Sequence, residues 1–360
     1  MEKGAHLVLD NSNKSQQTKT ENNAQETTKE SKVQLSTTEI SSLWTTYMQM
    51  SMSQKMLEFF ERTCEDNEVK EIISNTLKIT YEIKDGTTKH FKDGNVAVPY
   101  GFADDDVNLS APKLFTEHYM LFYMQHMMSV GLIKFAHDKA TATRDDILNF
   151  FTVCIKKTDS VFDTVVKAIA NKGLTYRFPL VNIPKKPEFP TSRKYMSNYF
   201  RAKRPLNIME ITQLRTSIDT NSIGQALLLA FAQTAQSEKI RKYMVRGKDI
   251  ARKHGEIFTG LLTKEDINVP NTLGNAVTDS ITSPFTDRLM LYHVIFLNSI
   301  GLNNYGRALG TVTRKDVLTD YSRLMAEIAD YAEDGMSLML EYGWFEQPPQ
   351  PISRKELIGV

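Results

Sequence analysis

Cysteine is scarce in this chain: two in 360 residues, Cys64 and Cys154, with no CxxC pair and too few to build a disulfide framework. That usage suits a reducing compartment and reads as two buried thiols. Long hydrophobic runs are missing as well. The most apolar stretch, residues 289–297, is well short of the ~18 residues of a membrane span and contains His293. The amino terminus lacks the basic, apolar, small-residue order of a signal peptide, so a cytoplasmic location is expected and a membrane partner is not. Neither sign of charge dominates, with 44 basic residues against 43 acidic ones, so no whole-molecule field draws in nucleic acid or an anionic surface. Glycine-rich phosphate loops, nucleophile elbows and zinc-ligand clusters are absent too. These absences lean away from an enzyme and leave the activity uncertain.

What the chain does contain is a duplication. Residues 115–148 match residues 285–318 at an offset of 170, with 12 identities in 34 ungapped positions, among them Phe115/Phe285, Gly131/Gly301, Thr143/Thr313, Arg144/Arg314 and Asp146/Asp316. The earlier part of each copy aligns at 171, pairing Glu39 with Glu210, Ser51 with Ser222, Gln54 with Gln225 and Phe60 with Phe231. Each copy reads as four helices, near 37–65, 67–84, 114–141 and 144–172, then 208–236, 238–263, 285–311 and 314–342. Ser36 with Glu39 has capping-box spacing, Thr143 with Asp146 and Thr313 with Asp316 suit helix starts, and Gly173 and Gly343 suit helix exits. Gly86 and Gly94, in a segment without apolar period, suggest that the second helix of copy 1 ends early.

Short connections make the third and fourth helices antiparallel neighbours, and long connections between the second and third suit a crossover. The fold class that follows is all-α, two tandem ferritin-like four-helix bundles related by internal duplication. The chain divides into a polar tail over residues 1–35, too poor in apolar residues to fold, bundle copy 1 over 36–178, a proline-rich basic linker over 179–206, bundle copy 2 over 207–347, and a C-terminal tail over 348–360.

Di-metal carboxylate bundles require Glu-x-x-His pairs, because side chains at i and i+3 project inward together. The residues three before the seven histidines are Lys3, Thr87, Phe115, Tyr123, Lys134, Ala251 and Met290, so the motif is missing and no cofactor is expected. A weaker set remains in copy 2, where His254, Asn221 and Glu327 fall at one height on or beside apolar stripes and His293 lies about two turns away. The aligned positions of copy 1 are Ile83, Met50, Lys157 and Tyr123. The set therefore has two readings: core polar residues that satisfy one another, or a degenerate site for a single metal ion or small ligand, confined to copy 2.

Other features read as structural. Ser51 with Gln54 and Ser222 with Gln225 suggest a buried hydrogen-bond layer. The basic residues from Lys239 to Lys253 read as a solvated face without the aromatic interleaving of nucleic-acid binding. Asp104, Asp105 and Asp106 read as an exposed crossover loop. The methionines at 48, 50, 52, 56, 120, 124, 127 and 128 read as core filling, with a groove for a partner helix as the other use of such residues.

Several segments also resemble a known family. The opening Leu43-Trp44-Thr45-Thr46-Tyr47-Met48, the stretch Lys203-Arg204-Pro205-Leu206-Asn207, the run from Arg246 through His254, Asn304-Tyr305-Gly306 and the run from Arg323 through Gly335 resemble the domain of unknown function 3231 family of spore-forming Firmicutes. The resemblance spans about Ser36 to Leu357. It implies tandem ferritin-like bundles, distantly like spore coat protein F, with no known catalytic activity. A sporulation-associated, non-enzymatic role with self-association or a protein partner, in the cytoplasm or forespore, is what it leads one to expect.

Overall fold

The computed structural model describes residues 33–176, 184–196, 203–269, 273 and 275–359. Residues 1–32 of the tail expected to stay unfolded and parts of the expected linker lie outside that set, whereas Leu35, at the tail's end, is buried in the core of copy 1. Eight long helices carry the fold: α1 Thr37–Thr63, α2 Asn67–Asp93, α3 Glu117–Thr141, α4 Asp145–Asn171, α5 Ile208–Thr234, α6 Glu238–Thr263, α7 Asp287–Thr311 and α8 Lys315–Glu341. Among the described residues there is no strand, only two isolated antiparallel bridges. Within each copy two helical hairpins pack side by side, joined by a long crossover from the second helix to the third. That is ferritin-like topology, repeated. No described helix is long and apolar enough to cross a membrane.

The helix ends follow from repeated chemistry. Ser36 and Glu39 form the expected capping box at α1, and Asn207 with Glu210 repeats it at α5. The same two glutamates do more. Glu39 Oε1 accepts from the Thr143 and Arg144 backbone N–H groups at 2.9 Å each, tying the start of α1 to the start of α4. Glu210 does the same with Thr313 and Arg314, and also takes both Arg204 Nη atoms at 2.8 Å. The caps of α4 and α8 thus differ from expectation: Thr143 and Thr313 donate to these buried glutamates rather than accept from the first turns of their own helices. Gly173 and Gly343 close α4 and α8 with φ of +70° and +66°, as expected.

One expectation fails at α2, which runs to Asp93 instead of ending near residue 84. Ile83, Thr87 and Phe91 recur at four-residue spacing and are buried, a stripe the glycine count obscured. Gly86 is part of the reason the helix continues: a Cβ there would stand 2.6 Å from the Phe150 ring, so its bare backbone admits the fourth helix.

The two copies meet through their crossovers. The bridge of Val107 to Phe285 has its counterpart, 170 residues on, in the bridge of Phe115 to Val277. The flanking backbone bonds repeat in the same way: Asn108 N–H to Pro284 O at 2.8 Å mirrors Thr278 N–H to Leu114 O at 3.0 Å, and Thr116 to Ala276 mirrors Thr286 to Asp106. Each crossover therefore lies against the other copy's third helix about a pseudo-twofold axis, the geometry of a self-complementary dimer written into one chain. One apolar core runs through both copies and includes Phe60, Met120, Tyr123, Phe231 and Phe285. The methionines of α1 and α3 fill it, with Met48, Met52, Met56, Met120, Met124 and Met127 buried. Asp106 also departs from expectation: it is buried in this seam, accepting from Arg288 Nη2 at 2.6 Å and Thr286 Oγ1 at 2.7 Å.

Candidate functional site

Three of the four candidate residues converge. His254, fully buried on α6, places Nε2 3.0 Å from Glu327 Oε2 on α8 and Nδ1 3.1 Å from the Tyr305 hydroxyl on α7. Tyr305 in turn accepts from Asn221 Nδ2 at 2.9 Å on α5, and the same Asn221 nitrogen donates to Ser217 O at 2.7 Å. Glu327 receives Lys253 on its other oxygen. Beside them Ser217 Oγ pairs with the Tyr321 hydroxyl at 3.0 Å. All four helices of copy 2 contribute.

The chain of donors has one consistent direction. Asn221 N–H donates to Tyr305, the Tyr305 hydroxyl donates to His254 Nδ1, and His254 Nε2–H donates to the Glu327 carboxylate, which assigns the neutral Nε2–H tautomer to His254. Burial lowers the His254 pKa, and Glu327 only partly restores it, so the ring is neutral at pH 7. Glu327 stays ionised: burial raises its pKa, but Lys253 and His254 outweigh that and hold it below the usual carboxylate value. Among the described residues no group of three or more His, Cys, Asp or Glu side chains is placed to hold a metal ion. The donors that converge are one imidazole, one carboxylate already paired with Lys253, one phenol and one amide.

His293 does not join them. It sits twelve residues before Tyr305 on α7, about 18 Å at the helical rise, and meets copy 1 instead. Its Nε2 lies 3.1 Å from the Tyr123 hydroxyl, and Tyr123 is its own duplicate position, so the pair faces across the pseudo-twofold axis. Burial drives the His293 pKa down to about 3.

Sequence reasoning missed Tyr305, Tyr321 and Lys253, and the duplication held the signal for all three. Copy 1 has Phe135 and Phe151 where copy 2 has Tyr305 and Tyr321, and Met50 and Ile83 where copy 2 has Asn221 and His254. Phe135, Phe151 and Ile83 are buried in an apolar cluster with Met50 packed against it. At these four positions the layer is apolar in copy 1 and hydrogen-bonded in copy 2, while Ser217 is matched by Thr46, which receives Lys134 at 2.7 Å. At its edge the ion pair survives with its charges exchanged: Glu82 on α2 with Lys157 on α4 becomes Lys253 on α6 with Glu327 on α8.

The expected serine-glutamine layer does not form. Ser51 and Ser222 bond their own helix backbones, and Gln54 is buried with neither amide atom partnered among the described residues. The basic residues of α6 are drawn into ion pairs, Lys239 with Glu341 and Arg246 with Asp330 and Asp334 of α8, which leaves no uncompensated stripe along that face.

These observations define a tandem ferritin-like bundle protein whose central polar layer is closed upon itself. The chain belongs to the family described as "Protein of unknown function (DUF3231)", whose model matches residues 25–186 and 194–357. Among solved structures it is similar to a candidate spore coat protein of Bacillus halodurans C-125, at 17% identity over 42% of this chain and 98% of that one, with a TM-score of 0.38. It is similar also to a two-domain protein of Anabaena variabilis ATCC 29413 with DJ-1/ThiJ/PfpI-like and ferritin-like domains, at 11% identity over 54% of this chain and 53% of that one, with a TM-score of 0.33. No curated protein matches this chain.

Proposed function

We propose that the protein is a non-enzymatic structural or protein-interaction component, sporulation-associated and housed in the cytoplasm or forespore, that works through its helical faces by self-association or by binding a protein partner. The observation that supports this reading is the saturation of the copy 2 layer. Its imidazole, phenol, amide and carboxylate are spent on one another and on Lys253, so no base is left beside an open position where a reacting atom could sit. No cofactor is part of this reading, and the ion-paired basic face of α6 argues against nucleic acid.

The competing reading, a single metal ion or small ligand in copy 2, draws on one contact, His254 with Glu327. Elemental analysis of untagged protein, followed by iron, manganese and zinc titration of wild type and of a His254→Ala, Glu327→Ala variant, separates the two. The structural reading expects folded, metal-free protein that sediments as a defined oligomer or complex. Near-stoichiometric metal in the wild type, lost in the variant, would overturn it.

A further inference from the structure

A second polar site lies between the copies, on one side only of the pseudo-twofold axis. Helices α3 and α4 of copy 1 and α5 and α7 of copy 2 enclose a cleft of about 330 Å³, within the range of small-molecule sites. Its lining is mixed. Phe122, Phe162 and Ile133 give it apolar surface, and Ile133 is left 54% exposed. Arg215 and Arg307 bring two guanidinium groups. Arg215 is matched by Asp219, Nε to Oδ2 at 2.5 Å, whereas Arg307 bonds only the neutral Asn304 Oδ1, at 2.9 Å, and has no carboxylate partner among the described residues. His126 adds a buried Nε2 with no hydrogen-bond partner among the described residues, and burial lowers its pKa to about 4, so it is neutral. The charged groups of the cleft thus sum to one uncompensated positive charge.

The duplicate of this cleft shows that the arrangement is no by-product of the architecture. Where the open cleft has His126, Arg215 and Asp219, the aligned positions across the axis hold Phe296, Trp44 and Met48. Those three pack into or against the shared core. At these three positions one side of the duplicated interface is apolar and the other polar, whereas Arg307 is matched by His137 and Asn304 by Lys134.

We propose that the open cleft binds a small organic acid, its carboxylate on Arg307 with His126 Nε2 as a second polar contact, and its apolar body against the Phe122, Phe162 and Ile133 side chains. The site is distinct from the copy 2 layer and independent of the structural role proposed above.

The test is isothermal titration of the full-length protein with octanoate, benzoate and inorganic phosphate, repeated on two variants. Arg307→Gln alters an exposed side chain, and His126→Phe installs the residue that the duplicate position already accommodates. The proposal expects octanoate or benzoate to bind wild type, and each variant to weaken that binding at least tenfold while retaining the wild-type thermal midpoint. An absence of binding by both acids, equal affinity in wild type and Arg307→Gln, or binding of phosphate in preference to the acids would each overturn it.

Discussion

Replacing Glu210 by glutamine probes the tie between α5 and α8 with the least change in shape. Its carboxylate is fully buried and accepts from the Asn207, Thr313 and Arg314 backbone N–H groups, the Thr313 hydroxyl and both Arg204 Nη atoms. Burial alone raises its pKa, but Arg204 and the backbone donors overcome that and bring it from 4.5 to about 2. A carboxyl held that low corresponds to about 3 kcal/mol of stability at neutral pH. The sign follows from the lowered folded value: the contribution is complete above the unfolded pKa of 4.5 and is lost as pH falls toward 2. Glu210→Gln should therefore lower stability by about 2–3 kcal/mol at pH 7, with the gap to wild type shrinking by about 1 kcal/mol at pH 4 and about 2 kcal/mol at pH 3. Urea denaturation across that range measures the gap, and amide exchange at Thr313 and Arg314 localises it. Glu39→Gln should behave alike, because the Ser36, Arg144 and Thr143 donors bring that carboxyl, against the cost of burial, from 4.5 to about 2 as well. A variant as stable as wild type at pH 7, or a gap that stays constant down to pH 3, would refute the reasoning.

Four further outcomes are expected. His254→Ile alone should cost about 2–4 kcal/mol by leaving Glu327 Oε2 without its donor and the Tyr305 hydroxyl without its acceptor, whereas combining it with Asn221→Met and Tyr305→Phe should recover much of that loss, since the trio restores the apolar side chains of copy 1 at those positions; chemical denaturation of both variants decides. Gly247→Ala should destabilise by more than about 2 kcal/mol, because a Cβ there would stand 2.1 Å from the Tyr331 hydroxyl in the stacked Tyr243–Tyr331 pair; a thermal midpoint equal to wild type would contradict this. His293 is buried and neutral with its pKa lowered from 6.5 to about 3, so the unfolded chain takes up its proton first and wild-type stability should fall below pH 6.5, by about 3 kcal/mol at pH 4; His293→Phe should remove that share in parallel pH titrations of stability. Burial pushes the Cys154 thiol up to about 12, so iodoacetamide should label it only under denaturing conditions, as mass spectrometry would show.

How far the sequence revealed these features depended on whether a feature was repeated or had diverged. Shared positions gave the architecture: Glu39 and Glu210 recur because each anchors a capping box and ties the first helix of its copy to the fourth, and Thr143 and Thr313 recur because they complete that tie. Their partner helices could not be read from spacing, since the contacts cross more than 100 residues and a cap motif describes only its own turn. The end of α2 was misread because glycine signals were weighed without the facing helix, and it is Phe150 that makes Gly86 an asset there.

The convergence of His254, Asn221 and Glu327 was visible from helical register, because one missing apolar residue in a stripe is conspicuous. Tyr305 was not, because a tyrosine in a stripe looks like core until its duplicate is seen to be phenylalanine. The most informative positions are therefore those where the copies disagree. Asn221, His254 and Tyr305 differ from Met50, Ile83 and Phe135 as one hydrogen-bonded chain, and Tyr321, against Phe151, pairs separately with Ser217. Lys253 and Glu327 exchanged sign together against Glu82 and Lys157, which keeps the attraction and moves the carboxylate to the helix that faces His254. His126, Arg215 and Asp219 also differ as a group from Phe296, Trp44 and Met48, but they form no closed network: His126 Nε2 and the charge of Arg307 stay unmatched. A layer that satisfies itself explains its residues by folding alone, whereas a cleft that leaves donors unmatched beside an apolar wall is explained by what it holds.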